Sequence, residues 1–156
     1  METCQINSPL GIIKIVAENA IVSEILFAEN SKISDVIPDS LLDIVQEIKE
    51  YFDGSRKQFT FKNQQKGTAF QQKVWQELQK IPYGKTISYL ELAKKLGNPK
   101  VIRAAASANG KNKLLLVVPC HRVLGSNGAL TGFACGLWRK KLLLDFENPI
   151  NQESLF

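Results

Sequence analysis

The sequence predicts an α+β fold, with a small lobe of strands and one helix in residues 1–66 and a mostly helical domain in residues 67–156. The runs GIIKIVA and IVSEILF are rich in β-branched residues and are separated by the short polar segment ENA, which predicts a β-hairpin. Farther along the chain, apolar residues recur at helical spacing behind polar capping residues, which predicts several short helices. The polar segment KNQQKG lies between these two patterns and is the expected linker.

The first lobe is expected to contain one helix after the hairpin. After Ser40, apolar residues recur every three or four positions in LLDIVQEIKEYF, and the helix ends at Asp53 and Gly54. The run QFTF is expected to form one more strand. The lobe therefore combines at least three strands with a single helix.

Polar residues that cap helices mark the starts of three helices in the second domain. Two are capping-box pairs three residues apart and the third is an Asn-Pro step: Thr68 with Gln71, Ser88 with Glu91, and Asn98 with Pro99. Gly97 ends the second of these helices, so SYLELAKKLG and KVIRAAASANG are predicted to form a helix-turn-helix. A last helix is expected from about Gly136 to Glu147.

Charge divides unevenly between the two parts. The net charge of +5 results from 7 Lys and Arg against 10 Asp and Glu in residues 1–66, and 13 against 5 in residues 67–156. A basic domain suits a polyanion such as nucleic acid, although a solvated lysine-rich face explains the same excess. No apolar run approaches the roughly 18 residues of a membrane span, and the first residues lack the pattern of a signal peptide. We expect a soluble, cytoplasmic protein, with a nuclear one as the alternative.

Three cysteines, Cys4, Cys120 and Cys135, are odd in number and form no CxxC pair, so we expect free thiols in a reducing compartment. Together with His121, the only histidine, they would total four metal ligands. Adjacent Cys and His are poor chelating partners, however, and no pair shows the short spacing of a structural zinc site. We predict no metal and no cofactor.

The stretch LLLVVPCHRVLG places Cys120 and His121 directly behind a buried apolar run. A thiol reacts as the thiolate, so an adjacent imidazole, supported by a carboxylate such as Glu147, would help to ionise it. An extended segment would point the two side chains to opposite faces, so their contact needs a turn or a bridging water. The alternatives are a buried structural thiol and a thiol hydrolase.

The predicted second helix of the helix-turn-helix has an unusually smooth face. Ala104, Ala105, Ser107 and Ala108 offer no long side chains, and Arg103 is the long side chain at its start. A helix with ordinary side chains is about 10 to 12 Å across and the minor groove of B-DNA about 6 Å wide, so only a smooth helix could approach a widened groove. The alternative is that the alanines pack against a neighbouring helix.

Four segments together resemble the O6-alkylguanine-DNA alkyltransferases, also called methylated-DNA-protein-cysteine methyltransferases. They are PCHRV, IPYGKTISYLELAKKLGNPK, RAAASANGKN and TGFACGLWRKKLLLDFE, and the resemblance is dense over residues 67–148. It implies a ribonuclease-H-like first lobe and a second domain that binds duplex DNA. It also implies single-turnover, irreversible transfer of an alkyl group from O6-alkylguanine to the protein, with O4-alkylthymine as a further candidate substrate.

The resemblance also implies a role for individual residues. The implied catalytic residues are Cys120 as acceptor, His121 as base through a water, Glu147 behind it, Asn112 bracing the turn, and Tyr89 as donor to the leaving guanine. The implied DNA-binding residues are Arg103, which replaces the flipped base in the stack, and Ala104, Ala105, Ser107 and Ala108. The implied pocket residues are Tyr89, Val123, Phe133, Ala134 and Lys140, with the loop from Gly132 to Gly136.

Two positions depart from the pattern of many members. Phe133 stands where tyrosine is common, and Ala134 lacks a hydroxyl that some members place near O6.

The expected partner is duplex DNA containing O6-alkylguanine, and the protein is expected to be monomeric and to lack membrane contact. We also see no second thiol placed to regenerate Cys120. The remaining alternative is a non-catalytic helix-turn-helix protein that binds DNA lesions or regulates transcription.

Overall fold

The computed structural model describes residues 1–130 and 135–148. The chain forms an α+β fold, as the sequence predicts. Its elements are β1 (Glu2–Ile6), β2 (Ile13–Glu18), β3 (Ile21–Phe27), α1 (Leu42–Asp53), α2 (Ala69–Leu78), β4 (Ile87–Ser88), α3 (Tyr89–Lys95), α4 (Ile102–Gly110), β5 (Val123–Leu124) and α5 (Leu137–Glu147). Within the described ranges, no helix has the length and apolar character needed to cross a membrane.

The chain folds into two compact units. Among the described residues, the first is Met1–Gln65 together with Lys113–Leu115, and the second is Lys66–Asn112 together with residues 116–130 and 135–148. The predicted division into domains 1–66 and 67–156 is continuous, whereas of the described residues after Lys66, residues 113–115 belong to the first unit. That short return occurs because residues 113–115 pair with strand β3.

The first unit is built on an antiparallel sheet in the order β1-β2-β3. Strands β2 and β3 confirm the predicted hairpin, and the turn residues Asn19 and Ala20 have φ values of 52° and 64°. Two consecutive left-handed residues match the twist of the flanking strands in a two-residue turn. Strand β1 was not predicted. It is held by pairing with β2, in which Cys4 lies opposite Ile15, and both of these residues are fully buried.

Two short segments cover the outer edge of β3. The Val22 N–H donates to the Lys62 carbonyl and the Gln64 N–H to the Val22 carbonyl, both at 2.9 Å. Farther along, the Ile25 N–H donates to the Lys113 carbonyl at 2.8 Å. The predicted strand QFTF is therefore wrong. The predicted linker KNQQKG begins as a sheet-edge segment, and the boundary between the two units lies within it, after Gln65. The backbone of an edge strand needs partners, and the polar residues 62–64 supply them.

The second unit begins its helices where the capping pattern predicts. The Thr68 hydroxyl accepts from the Gln71 N–H at 3.1 Å, and the Gln71 side chain accepts from the Thr68 N–H at 2.9 Å. Ser88 and Glu91 form the same reciprocal pair at the start of α3. Because each capping box satisfies two backbone donors that a helix leaves unpaired, these helix starts are encoded within four residues.

Helices α3 and α4 form the predicted helix-turn-helix, and a small parallel ladder joins it to the cysteine segment. The Asn98 side chain accepts from the Lys100 N–H at 2.9 Å ahead of α4. Strand β4 pairs with β5, with Ile87 opposite Val123 and Ser88 opposite Leu124. Sequence patterns gave no indication of these two-residue strands. Their pairing brings the start of α3 beside the chain that follows Cys120.

Candidate active site

Cys120 lies in a tight turn. Leu116 has a φ of 72°, which is uncommon for a non-glycine residue, and a short 3₁₀ helix spans Cys120–Arg122. The Val118 carbonyl accepts from the Cys120 N–H and from the Asn112 side-chain amide, each at 2.8 Å. The segment is thus turned rather than extended, and Asn112 holds the turn at the residue where the resemblance implies a brace.

The Cys120 thiol is deeply buried, with 4% of the residue exposed. Burial raises its pKa to about 11, while the Asn112 side chain and the charge of Lys140 act in the opposite direction. Cys135 raises the pKa further, so this second thiol lies near enough to act on the first. At neutral pH the sulfur therefore carries its proton, and it needs a base in order to react as a thiolate.

His121 and Glu147 form a buried pair next to this thiol in the chain. His121 Nε2 lies 2.9 Å from Glu147 Oε2, and each residue is 1% exposed. Burial by itself would raise the pKa of the Glu147 carboxyl, but the charges of His121 and Arg122 and their hydrogen bonds hold it well below its usual range. An ionised carboxylate only accepts hydrogen bonds, so Nε2 carries a hydrogen and Nδ1 of a neutral imidazole is the acceptor.

Arg122 completes this cluster. Its Nε donates to Glu147 Oε1 at 2.8 Å and a terminal nitrogen donates to Oε2 at 2.9 Å, while the other terminal nitrogen donates to the Ile81 carbonyl at 2.8 Å. The guanidinium also lies 5.6 Å from the centre of the Tyr83 ring. This bidentate pairing fixes the plane of the Glu147 carboxylate and therefore the orientation of the oxygen that accepts from His121.

The side-chain amide of Asn109 connects Tyr89 to the cysteine segment. The Asn109 amide nitrogen lies 3.3 Å from the Tyr89 hydroxyl oxygen and 3.3 Å from the Cys120 carbonyl oxygen. Burial raises the pKa of Tyr89, the hydrogen bond from Asn109 lowers it, and the charge of Cys120 raises it. The tyrosine, the first residue of α3, is therefore held in its neutral form beside the thiol.

Lys140 is fully buried on α5. Its ammonium donates to the Val123 carbonyl at 2.6 Å and lies 5.9 Å from the centre of the Tyr89 ring. Burial lowers its pKa to about 8, although the charge of Cys120 raises it. A cation at this position favours the thiolate form of Cys120.

Helix α4 presents two different faces. Arg103, Ala104 and Ser107 are exposed, whereas Ala105 and Ala108 are 0% and 2% exposed. The Ala108 carbonyl also accepts from the Trp75 indole at 2.9 Å. The prediction that Ala105 and Ala108 contact DNA is therefore corrected: their methyl groups pack inside the unit, as the alternative interpretation proposed for the alanines. The smooth exposed face is narrower than predicted.

A family model described as 6-O-methylguanine DNA methyltransferase, DNA binding domain, matches residues 69–149. The chain is 41% identical to the methylated-DNA-protein-cysteine methyltransferase of Methanosarcina acetivorans over 147 residues, which cover 90% of this chain and 94% of that protein. The chain belongs to this methyltransferase family. Its similarity to the Mycolicibacterium paratuberculosis methyltransferase is 35% identity, over 96% of this chain and 94% of that one.

Solved structures of methyltransferases share the same fold. The Mycobacterium tuberculosis O6-methylguanine methyltransferase superposes with a TM-score of 0.83 at 36% identity, covering 94% of this chain and 92% of that one. The Mycobacterium tuberculosis protein OGT in complex with DNA gives a TM-score of 0.85 at 35% identity, with coverage of 100% and 99%. The similarity therefore extends over both units of the methyltransferase.

The implied catalytic residues are brought together around the Cys120 segment of the methyltransferase, and Lys140 lies with them. Asn112 donates to the Val118 carbonyl, the charges of Lys140 and Cys120 act on each other, and the Cys120 charge acts on Tyr89. His121 pairs with Glu147. Phe133, Ala134 and most of the loop from Gly132 to Gly136 lie outside the described residues. Among the residues that are described, no three His, Cys, Asp or Glu side chains are grouped to hold a metal ion.

Two further residues, Arg122 and Asn109, belong to this cluster although sequence analysis gave them no role, and Cys135 acts on it as well. Arg122 stands inside the quoted PCHRV motif, but nothing in its spacing points to a partner 25 positions away. Asn109 lies on α4, whose small residues predicted only a surface without long side chains. Cys135 was expected only as part of the loop from Gly132 to Gly136, and its charge raises the pKa of Cys120.

Proposed function

We propose that the methyltransferase repairs O6-alkylguanine in duplex DNA by a single irreversible transfer of the alkyl group to Cys120. The new bond joins the alkyl carbon to the cysteine sulfur as the bond from that carbon to O6 breaks. The electron pair of the broken bond stays with guanine, which takes up a proton. The observation that carries this proposal is a buried thiol, next in sequence to a buried His-Glu pair, in a chain of this family.

His121 is proposed as the base for the thiol. With a pKa of about 11, Cys120 has little thiolate at neutral pH, so proton removal must accompany the reaction. Glu147 accepts a hydrogen bond from the Nε2–H of the imidazole, which leaves Nδ1 to accept the thiol proton through a bridging water. As the imidazole becomes positive, the ionised carboxylate stabilises it.

Tyr89 is proposed as the donor to the departing guanine. A guanine that leaves as an anion is a poor leaving group, and a neutral hydroxyl that shares its proton lowers that barrier. Burial keeps the Tyr89 hydroxyl protonated, as this role requires. Lys140 adds positive charge beside the thiol, which favours the thiolate.

The exposed face of α4 is proposed to meet the DNA. A base within a duplex cannot reach a buried thiol, so the target nucleotide has to be swung out of the stack. The small residues Ala104 and Ser107 permit close approach of the helix, and Arg103 is the long side chain that would fill the space left by the base. Exposed lysines around this helix supply attraction to phosphates: Lys94, Lys95, Lys100 and Lys111.

The pocket for the extruded base is proposed to include the Val123 backbone, Phe133 and Ala134. Phe133 retains an aromatic face for stacking, and with Ala134 in place of a hydroxyl, recognition of O6 would depend on backbone N–H groups. We also propose that residues 67–156 carry both DNA binding and transfer, and that the protein acts as a monomer. DNA is the only partner this chemistry needs.

The product should be permanent. A thioether carbon bonded to a neutral sulfur is not activated for displacement, so the neighbouring thiol of Cys135 does not restore Cys120. Each molecule therefore reacts once. A thiol hydrolase would instead turn over repeatedly, and a progress curve that ends at one equivalent separates the two.

Replacing the acceptor sulfur tests the proposal directly. The Cys120→Ser protein should bind duplex DNA containing O6-methylguanine but transfer no methyl group, because a hydroxyl is a far weaker nucleophile than a thiolate. Cys4→Ser is the matched control, since Cys4 is a buried thiol of the first unit, and it should keep the transfer rate within about twofold. Methyl transfer that persists in Cys120→Ser would overturn the assignment.

A further inference from the structure

The Asn109 side chain occupies an unusual position between two groups of the reaction centre. Its amide nitrogen is 3.3 Å from both the Tyr89 hydroxyl oxygen and the Cys120 carbonyl oxygen. The residue is 2% exposed. It lies near the end of α4, the same helix that presents Arg103 on its surface. One carboxamide thus touches both the tyrosine and the backbone of the nucleophile.

The direction of these hydrogen bonds follows from the backbone carbonyl. A carbonyl oxygen only accepts, so the Asn109 atom that faces Cys120 must be the NH₂ group and not the amide oxygen. The second N–H of that group donates to the Tyr89 oxygen. The tyrosine hydroxyl is therefore an acceptor toward Asn109, and its own proton points away from the amide. The reverse arrangement, with the tyrosine donating to Asn109, would place two carbonyl oxygens against each other.

The other end of the carboxamide supports a functional interpretation. Asn109 Oδ1 is buried and makes no hydrogen bond to any described residue. A buried acceptor without a partner lowers stability, so such groups in proteins call for an explanation beyond packing. The Asn109 nitrogen makes the two hydrogen bonds, to the Tyr89 and Cys120 oxygens. Oδ1 has no hydrogen bond to a described residue because the amide is oriented toward those two oxygens.

We propose that Asn109 is a positioning residue that fixes Tyr89 as a hydrogen-bond donor toward the departing guanine. This inference depends on the proposed function, in which Tyr89 donates to the leaving base. Because Asn109 donates to the tyrosine oxygen, the hydroxyl proton of Tyr89 points away from Asn109. The same hydrogen bond makes the Tyr89 hydroxyl a stronger donor. This agrees with the lowering of the Tyr89 pKa by the Asn109 hydrogen bond. Asn109 acts through Tyr89 and does not itself meet the reacting atoms.

A double-mutant cycle tests this coupling. Four proteins are compared in single-turnover transfer from duplex DNA containing O6-methylguanine: the natural chain, Asn109→Leu, Tyr89→Phe and the double variant. Asn109→Leu should slow transfer about tenfold in the natural chain, because the donor loses its orientation. In the Tyr89→Phe background the same change should slow transfer less than about twofold, since no hydroxyl remains to be oriented.

Gln65→Leu is the matched control for loss of a buried amide. Gln65 is 6% exposed, its side chain accepts from the Lys113 N–H at 2.8 Å, and it belongs to the first unit. It should lower the melting temperature as Asn109→Leu does, while leaving the transfer rate unchanged. Equal factors for Asn109→Leu in both tyrosine backgrounds, or no slowing in the natural chain, would overturn the proposal.

A second measurement does not depend on the folding of any Asn109 variant. In ¹⁵N-labelled protein, the side-chain amide signals of Asn109 should shift when Tyr89→Phe removes the oxygen that accepts from one of its protons. Signals that do not move would contradict the proposed bond. If the natural chain transfers no methyl group at all, the proposed function fails, whereas this spectrum still reports on the bond.

Discussion

At the scale of single residues, the reaction centre places its charges in a definite order. The neutral thiol of Cys120 is buried, the proposed proton acceptor His121 is the adjacent residue, and the Glu147 carboxylate that pairs with His121 is held ionised with the help of Arg122. A buried carboxylate with one partner would be costly to ionise, and the second cation offsets that cost. The His121 tautomer therefore depends on Arg122 as well as on Glu147.

Neutralising Glu147 should affect both stability and the transfer rate. The folded-state pKa of this carboxyl is lowered, so its ionised form stabilises the fold above the unfolded pKa of about 4.3, and this contribution is lost as the pH falls below that value. Glu147→Gln should reduce the free energy of unfolding by about 3 kcal/mol at pH 7, because it leaves Arg122 buried without its anion. The reduction should be smaller at pH 3.5, and transfer should slow at least about tenfold.

Urea denaturation at the two pH values, together with single-turnover transfer, measures these effects. Asp145→Asn is the control on the same helix, since the Asp145 ion pair with Lys141 is exposed and should contribute less than about 1 kcal/mol. An equal loss of stability in Glu147→Gln at both pH values would show that the carboxylate is not ionised in the fold.

At the scale of elements, helices and strands that a short sequence pattern encodes were predictable. Elements that depend on pairing with another segment were not. The starts of α2 and α3 follow from capping boxes contained within four residues, and the β2-β3 hairpin follows from two adjacent runs. Strand β1 (ETCQI) mixes polar and apolar residues and is defined by its pairing with β2, whereas the β4-β5 ladder joins segments far apart in the chain, which no short pattern contains. The run QFTF has strand-forming residues, yet the residues just after it pair with β3 instead.

The active site shows the same limit. Cys120 and His121 are adjacent in a recognisable motif, and the resemblance supplied Glu147, Asn112 and Tyr89. Asn109 and Arg122 were missed because their roles arise only when α4 and α5 fold against the cysteine turn. The alanines of α4 were assigned to one surface because composition does not tell which side of a helix faces inward.

Helix α4 provides a matched pair of substitutions. Ala104→Leu adds a larger side chain on the exposed face, so it should leave the melting temperature unchanged. It should weaken binding to duplex DNA, because the wider helix no longer fits closely into the groove. Ala105→Leu adds the same bulk at a fully buried position and should lower stability by about 1 to 3 kcal/mol through overpacking. Thermal denaturation and fluorescence-anisotropy titration distinguish them. Unweakened binding by Ala104→Leu would exclude this face from the DNA contact.

At the scale of the whole molecule, charge and chemistry are concentrated in the same part of the sequence. Residues 67–156 hold 13 Lys and Arg against 5 Asp and Glu, and they also contain the cysteine turn and α4. Such a distribution attracts a polyanion toward the part of the chain that reacts with it. Because the acceptor is part of the protein and forms a stable thioether, the amount of repair is limited by the amount of protein.

The most direct measurement is the stoichiometry and location of the transferred group. Trypsin places the three cysteines on separate peptides, and residues 114–122 carry Cys120 alone. After reaction with excess duplex DNA containing O6-methylguanine, mass spectrometry should show one methyl group per protein molecule, on that peptide, with one equivalent of repaired guanine. A methyl group on the Cys4 or Cys135 peptide, or repair that continues beyond one equivalent, would contradict the account.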